Sequence, residues 1–368
     1  MNKNLYSLGL MSGTSMDGID ASIIKSDGEK SIEVIDNMYL MYNPSIKSKL
    51  KELVNLCNSK NSMKRLSKKI KKIEKEITLK YVSISKQILK KNKKITVNLI
   101  GLHGQTLLHK PKQGISLQIG NSKLLSKLTK KTVISDFRTN DILNGGQGAP
   151  LTPLYHKIIL SKIKANLPAA IINIGGISNI TLIKKNKKIL SFDTGPGNYL
   201  IDRWVKEKLE IDFDNMGMIA RSGKVDNNIL KKFLKDPYYK KKYPKSLDVK
   251  DFNLNNLKKI SLEDGCATLS MLTVVSICKS IKSLNIEPKK IFFCGGGRKN
   301  KFIIENIKKI LKKPIKLIDE FNFNGDFIES QAFAFLAIRS FLNKYISLPE
   351  TTGVKKPCLG GKFFKTKI

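Results

Sequence analysis

The residues best equipped for chemistry sit in two glycine-broken stretches. In AAIINIGGISNITLIKKNKKILSFDTGPGN, residues 169–198, the β-branched run Ile171–Ile174 breaks at Gly175-Gly176 and resumes at Ile180–Ile183. That pattern predicts strand, glycine turn, strand, with Asn173 just before the turn. After the charged turn Lys184–Lys188, a third strand, Ile189–Phe192, ends at Asp193, because Thr194-Gly195-Pro196-Gly197-Asn198 holds too much Gly and Pro to continue it. A carboxylate at a strand end beside glycines can take a proton or hold a cation, while open backbone N–H groups can hold an anion. The same residues also suit two tight turns with a solvated Asp.

A second stretch of this kind lies near the N-terminus. Leu5–Met11 runs into Ser12-Gly13-Thr14-Ser15-Met16-Asp17-Gly18-Ile19-Asp20 and then into the strand-like Ala21–Ile24. The lysine-bearing glycine pattern of a P-loop and the helix that follows it are absent, and so is the dinucleotide-binding fingerprint. A hairpin with Ser, Thr and Gly at its tip and Asp at its exit resembles the phosphate grip of actin-like sugar kinases. Two such hairpins suggest a pair of related phosphate-binding halves.

Three weaker sites accompany them. His103 follows the strand Val97–Gly101 and precedes Gly104, so it can hydrogen-bond a polar ligand or be satisfied by backbone in a turn. Arg138 and Asp141, beyond the strand Thr132–Ser135, can orient a sugar or form a local ion pair, worth only ~0–1 kcal/mol if exposed. Gly295-Gly296-Gly297-Arg298 ends the strand Lys290–Cys294 ahead of a helix over Asn300–Leu311. Three glycines there let a flat ring approach the backbone, as an adenine or ribose pocket requires, although a plain strand-to-helix turn needs only one.

The elements that must position these residues are mostly regular. Ser31–Tyr42 alternates as a strand, and a helix is predicted from about Ser45 to Cys57. Leu66, Ile70, Ile73, Ile77, Tyr81, Ile84 and Ile88 recur at steps of three and four, which makes a long amphipathic helix with a structural role. Further helices are expected at Leu151–Ser161, Asn198–Lys208, Asp264–Leu284 and Phe327–Leu342, the last with Glu329 in its first turn. The Lys-, Tyr- and Pro-rich segment Asp236–Asn253 reads as a surface excursion, and the tail Leu348–Gly361 as a return to the first domain.

Composition bounds the function. A chain of 368 residues has room for two domains. No uninterrupted apolar stretch approaches the ~18 residues of a membrane span, and no basic region precedes a long apolar segment at the N-terminus, so a soluble cytoplasmic protein without a membrane partner is expected. Cys57, Cys266, Cys278, Cys294 and Cys358 show no metal or disulfide spacing. The net charge of +38 invites nucleic acid, yet of 68 basic residues only six are Arg, and the Lys are dispersed along the chain. Arg is the side chain that reads phosphates and bases bidentately, so the charge reads as solvated faces and no specific nucleic-acid partner is expected.

With GLMSGTSMDGIDAS, HGQT, DFRTND, GGQGAP, NIGGISN, FDTGPGN, CGGGRKN, ESQAFAFLA and PETTG in order, the chain resembles the anhydro-N-acetylmuramic acid kinase family from end to end. The resemblance implies an α/β, two-lobed actin-like (ribonuclease H-like) ATPase fold with a mixed sheet in each lobe. The expected division is 1–134 plus about 345–368 for the N-terminal lobe and 135–344 for the C-terminal lobe. It implies a homodimeric kinase of cell-wall recycling that opens the 1,6-anhydro ring of anhydro-N-acetylmuramic acid with water and phosphorylates O6, using ATP and Mg²⁺. Asp193 matches the family's catalytic aspartate and would be the general base. Gly13, Thr14, Ser15, Met16, Asp17, Gly18, Ile19 and Asp20, with Asn173, Gly175 and Gly176, would serve the phosphates. Asp17 and Asp20 would hold Mg²⁺, and Gly295, Gly296 and Gly297 would take the nucleoside. His103, Arg138 and Glu329 would contact the sugar. One segment departs from the family: YPKSLDVKDFN, Tyr243–Asn253, keeps Pro-Lys-Ser but carries Leu, Asp, Val and Lys where many members have Thr, Gly, Arg and Glu.

Overall fold

Two apolar β-meanders organise the chain, each fed by the hairpins read from the sequence. The computed structural model describes residues 4–248, 252–257 and 259–365; Val249, Lys250 and Asp251 of the segment that departs from the family lie outside the described residues. The strands are β1 (Leu5–Ser12), β2 (Gly18–Ser26), β3 (Ile32–Met41), β4 (Leu99–Lys110), β5 (Ile115–Ile119) and β6 (Thr132–Ser135). They continue with β7 (Ala169–Ile174), β8 (Ile177–Ile183), β9 (Ile189–Pro196), β10 (Lys290–Cys294), β11 (Ile315–Leu317) and β12 (Lys362–Phe364).

The chain folds as two compact units, Met1–Ile163 with Phe327–Ile368, and Lys164–Asp326. The first holds a sheet in the order β12-β6-β4-β1-β2-β3 with β5 on β4, and the second a sheet in the order β11-β10-β7-β8-β9. In the first, β1-β2-β3 is an antiparallel meander and β4 and β6 continue the sheet in parallel. In the second, β7-β8-β9 is the meander and β10 and β11 are the parallel continuation. The two units therefore share one strand topology, in an α/β fold with a mixed sheet in each.

Each sheet buries an apolar face of its own. In the first unit Leu8, Leu10, Ile19 and Ile23 pack with Ile77 and Tyr81 of the helix Ser67–Lys91. In the second, Ile172, Ile174 and Phe192 pack with Leu200 and Trp204 of the helix Tyr199–Leu209 and with Leu272 of Leu262–Lys282. That last helix is long and apolar enough to cross a membrane by length and composition, and 78% of the qualifying window is buried within the protein.

The unit boundaries differ from the expected division. Residues 135–163 and the helix Ile328–Phe341 belong with the N-terminal unit. The helix is seated by two glycines, since a Cβ on Gly9 of β1 would collide with the Ser330 carbonyl, and one on Gly101 of β4 with that of Phe333. Backbone-to-backbone approach of this kind requires glycine.

Two strands outrun their expected ends. β4 does not stop at Gly101 but carries His103-Gly104-Gln105-Thr106 to Lys110, with the irregularity absorbed at Gly104, whose φ is +81°. β9 likewise carries Asp193 and continues to Pro196. It is the outermost strand of its sheet, and an edge is where Pro, lacking an N–H, is tolerated.

Candidate functional site

In the second unit, Asp193 lies within β9, immediately before a bulge: Asn179 faces Asp193 but Ser178 faces Gly195, leaving Thr194 out of register. The Thr194 hydroxyl donates to the Ser178 carbonyl at 3.1 Å. Asn173 faces Asn179 in the same way, and Cys294 flanks Asn173 on β10. Directly opposed residues share a face with Cβ atoms about 4.5–5.5 Å apart, so Asn173, Asn179 and Asp193 form one polar rung at the glycine end of the sheet.

Asp193 is only 6% exposed. Its N–H donates to the Lys245 carbonyl at 3.0 Å, its Oδ2 accepts from the Leu247 N–H at 2.9 Å, and its carbonyl accepts from the Tyr238 hydroxyl. Tyr243 stacks on Phe192 with ring centroids 4.9 Å apart, and the Lys245 ammonium lies 4.3 Å from the centre of the Tyr238 ring. Burial and neighbouring Lys241 hold the Lys245 pKa below its ordinary value, against the opposing pull of Asp193. The Tyr-rich segment expected as a surface excursion is thus, through its described part, the cover of the carboxylate, because its aromatic rings bury against the β9 edge.

The two glycine loops of this unit meet. The Gly175 and Gly176 carbonyls accept from the N–H groups of Asn198 (2.8 Å) and Gly197 (2.9 Å), which ties the exit of β9 to the hairpin turn. A Cβ at Gly295 would strike the Asn173 side-chain oxygen, and one at Gly297 the Ile174 side chain. These two glycines are required by packing. Gly175 and Gly296 differ, since a Cβ there would find nothing nearer than 3.5 and 3.8 Å respectively, which leaves an approach open to a ligand. Arg298 pins the loop by donating to Asp319 at 2.7 and 2.8 Å, to Asp326 at 2.6 Å and to the Gly295 carbonyl at 3.0 Å. Asn198 and Arg298 shape the site, and of the two the motifs leave only Asn198 without a role.

In the first unit the hairpin tip is held from below. Met16 adopts a left-handed backbone (φ +56°), and its N–H donates to the Gly13 carbonyl at 3.2 Å. Met16 and Ile19 turn their side chains into the core and Gly18 packs against the Leu40 carbonyl, so only their backbone can serve a phosphate. Thr14 and Ser15 are exposed. Buried Ser12 bonds the hydroxyls of Tyr42 (2.9 Å) and Tyr81 (2.8 Å), and Gln105 Nε2 donates to the Gly13 carbonyl at 3.1 Å. Asp17 pairs with Lys47. Partial burial, with the charges of Asp17 and Asp20, pushes the Tyr39 hydroxyl up to about 12. Among the described residues no group of three or more metal-ligating side chains occurs. Two carboxylates fit Mg²⁺, which takes one or two from the protein and completes its shell with water and substrate phosphates.

His103 and Arg138 are brought together. Arg138 donates to His103 Nε2 at 2.8 and 3.1 Å, so the imidazole carries its proton on Nδ1 and donates to the Gly104 carbonyl at 2.9 Å. Burial and then the Arg138 charge hold its pKa well below the ordinary value, and the ring is neutral. Phe333 packs against it at 4.4 Å, and Glu329 lies one turn earlier on the same face of that helix. A cavity of about 220 Å³ opens beside His103, with Ser116, Gln118, Ser135, Asp136 and Thr139 among its polar walls. Asp141 points elsewhere: its carboxylate accepts from the Gly148 N–H at 2.6 Å and from the Thr352 hydroxyl at 2.5 Å, and so holds the GGQGAP turn.

The family model for anhydro-N-acetylmuramic acid kinase matches residues 5–366. An anhydro-N-acetylmuramic acid kinase from Pelagibacter ubique (strain HTCC1062) is 47% identical over 99% of this chain and 100% of its own. One from Zymomonas mobilis is 38% identical over 97% and 99% respectively. The solved ROK family glucokinase from Streptomyces griseus, in complex with glucose and AMPPNP, aligns with 90% of this chain and 99% of its own at 11% identity and TM-score 0.41, a superposition too loose to bear on the site. On the near-complete family match and the identity to full-length relatives, the chain belongs to the anhydro-N-acetylmuramic acid kinase family.

Proposed function

We propose that this protein is an ATP-dependent kinase that opens 1,6-anhydro-N-acetylmuramic acid with water and phosphorylates the freed O6, giving N-acetylmuramic acid 6-phosphate in peptidoglycan recycling and amino-sugar catabolism. The observation that carries it is Asp193, a buried carboxylate on a polar rung beside two glycine loops, in a chain that matches the family end to end. Water gives a proton to Asp193 as its oxygen bonds to C1. The C1–O6 bond breaks with its electron pair going to O6, and O6 bonds the γ-phosphorus as ADP leaves. Phosphoryl transfer of this kind needs positioning and charge neutralisation more than covalent chemistry.

Backbone N–H groups at Gly175, Gly176, Gly13, Thr14, Ser15 and Asp17 are the proposed phosphate contacts, and Gly295–Gly297 the nucleoside contact. Asp17 and Asp20 are the proposed holders of Mg²⁺, which when bound neutralises phosphate charge; the Lys47 pair makes Asp17 the weaker of the two. His103, Arg138 and Glu329 are the proposed sugar contacts. A homodimer in the cytoplasm, with no specific nucleic-acid or membrane partner, completes the reading. ADP release measured with and without the anhydro sugar, followed by mass spectrometry of the product, tests it. Sugar-dependent ADP and a ring-opened phosphate ester are expected, whereas equal turnover without sugar contradicts it.

A further inference from the structure

The middle of the polar rung in the second unit has no task in the scheme above. Asn179 stands opposite Asn173 on one side and Asp193 on the other, and its Oδ1 is buried with no hydrogen-bond partner. An acceptor left unpaired in a protein interior is costly, and native structures rarely keep one without a use. The topologically equivalent seat in the first unit is Asp20. It too is the third residue of the second strand of its meander, and it faces Met11 and Tyr39 as Asn179 faces Asn173 and Asp193. In both units this rung lies beside the hairpin turn, at the glycine end of the sheet.

We infer that Asn179 orients the water that attacks the sugar: its Oδ1 accepts one proton-bearing arm while Asp193 accepts the other, which turns the oxygen lone pair toward the anomeric carbon. The inference rests on the reading of Asp193 as the base. An acceptor one cross-strand step from the carboxylate suits this task, because a single water can reach both groups. The proton still goes to Asp193, and the amide neither gains nor loses one. Among the described residues, the titratable and charged groups that face Asp193 include Lys245, with Lys241 behind it, and the Tyr238 hydroxyl on its carbonyl.

The test uses the full chain and steady-state kinetics on ATP and the anhydro sugar for Asn179→Ala, Asn179→Asp, Asp193→Asn and the double variant Asn179→Ala/Asp193→Asn. Loss of water alignment should lower kcat by about ten- to a hundredfold in Asn179→Ala, with KM for both substrates within about twofold. The double variant should be no slower than Asp193→Asn alone, because both residues act on one water. Asn179→Asp keeps the shape and places a like charge opposite Asp193, so the acid limb of its kcat/KM profile should move to higher pH. If Asp193→Asn collapses turnover while Asn179→Ala stays within about threefold of wild type, or multiplies the Asp193→Asn loss in full, the inference is overturned and the base assignment stands. If Asp193→Asn itself retains wild-type turnover, the underlying reading fails first.

Discussion

The same rung is built in two ways in the two units. In the first it reads Met11–Asp20–Tyr39, with the carboxylate on the central strand of the meander beside an exposed Thr14-Ser15 tip and a lysine-paired Asp17. In the second it reads Asn173–Asn179–Asp193, with the carboxylate on the edge strand, enclosed by Tyr238, Lys245 and Leu247. A carboxylate near solvent and cations suits an ion and its phosphates. One shut away from bulk water suits a proton. On the proposed roles a single strand topology serves two chemistries, and the neighbours of each carboxylate distinguish them.

The sharpest way to break this comparison is Asp193→Asn, which preserves shape and removes the acceptor. General-base catalysis contributes about 10²–10⁴-fold, so kcat should fall by at least about a hundredfold while ATP affinity by calorimetry stays nearly unchanged. Retention of more than about a tenth of wild-type turnover would reassign the base, with Glu329 the next candidate.

Acid should separate the units. His103 and His156 are buried and His109 is half-buried in the first unit, burial holds all three below the ordinary histidine value, and His109 and His156 are held at about 3. Depressed folded values mean that the stability is fully present above about pH 6.5 and is lost as pH falls below it, toward about 3 for His109 and His156. The second unit contains no histidine. Amide exchange at pH 7 and pH 5 should show the first unit opening preferentially, and equal loss in both would refute the assignment.

The glycines sharpen the comparison further. Gly297→Ala forces a Cβ into Ile174 and should destabilise the second unit by about 1–3 kcal/mol in denaturant melts. Gly296→Ala, whose Cβ meets nothing nearer than the Asn198 side-chain nitrogen at 3.8 Å, should leave the melt unchanged and weaken nucleotide binding. Equal destabilisation by both would remove the distinction between packing glycines and ligand-facing ones. The smallest effect is expected at Asp20→Asn: about a tenfold rise in the Mg²⁺ concentration for half-maximal turnover, on the scale by which changes around a metal shift its affinity. An unchanged Mg²⁺ dependence would move the cation elsewhere.

Much of this was legible in the sequence because it is local. The hairpins, the long helix around Ile73, Ile77 and Tyr81, and the loop at Gly295–Gly297 follow from periodicity and glycine alone. The continuation of β9 through Pro196 was hidden, because a proline forbids a central strand and nothing local marks β9 as an edge. The sequence puts His103 beyond its strand for a similar reason, since Gly104 looks like a stop and is a bend within β4. The boundary between the units depends on Gly9 and Gly101 seating a helix hundreds of residues away. Asn179 was visible only as part of NIGGISN, and its place opposite Asp193 is a matter of register, which no spacing along the chain reveals.

The most direct test of the central claim is to run the reaction in heavy-oxygen water and weigh the product. A kinase that opens the anhydro ring with water releases ADP only when the sugar is present, and it yields a phosphorylated amino sugar carrying one solvent-derived oxygen at the anomeric carbon. A phosphorylated product that keeps the anhydro ring, or ADP released at the same rate without sugar, would contradict it.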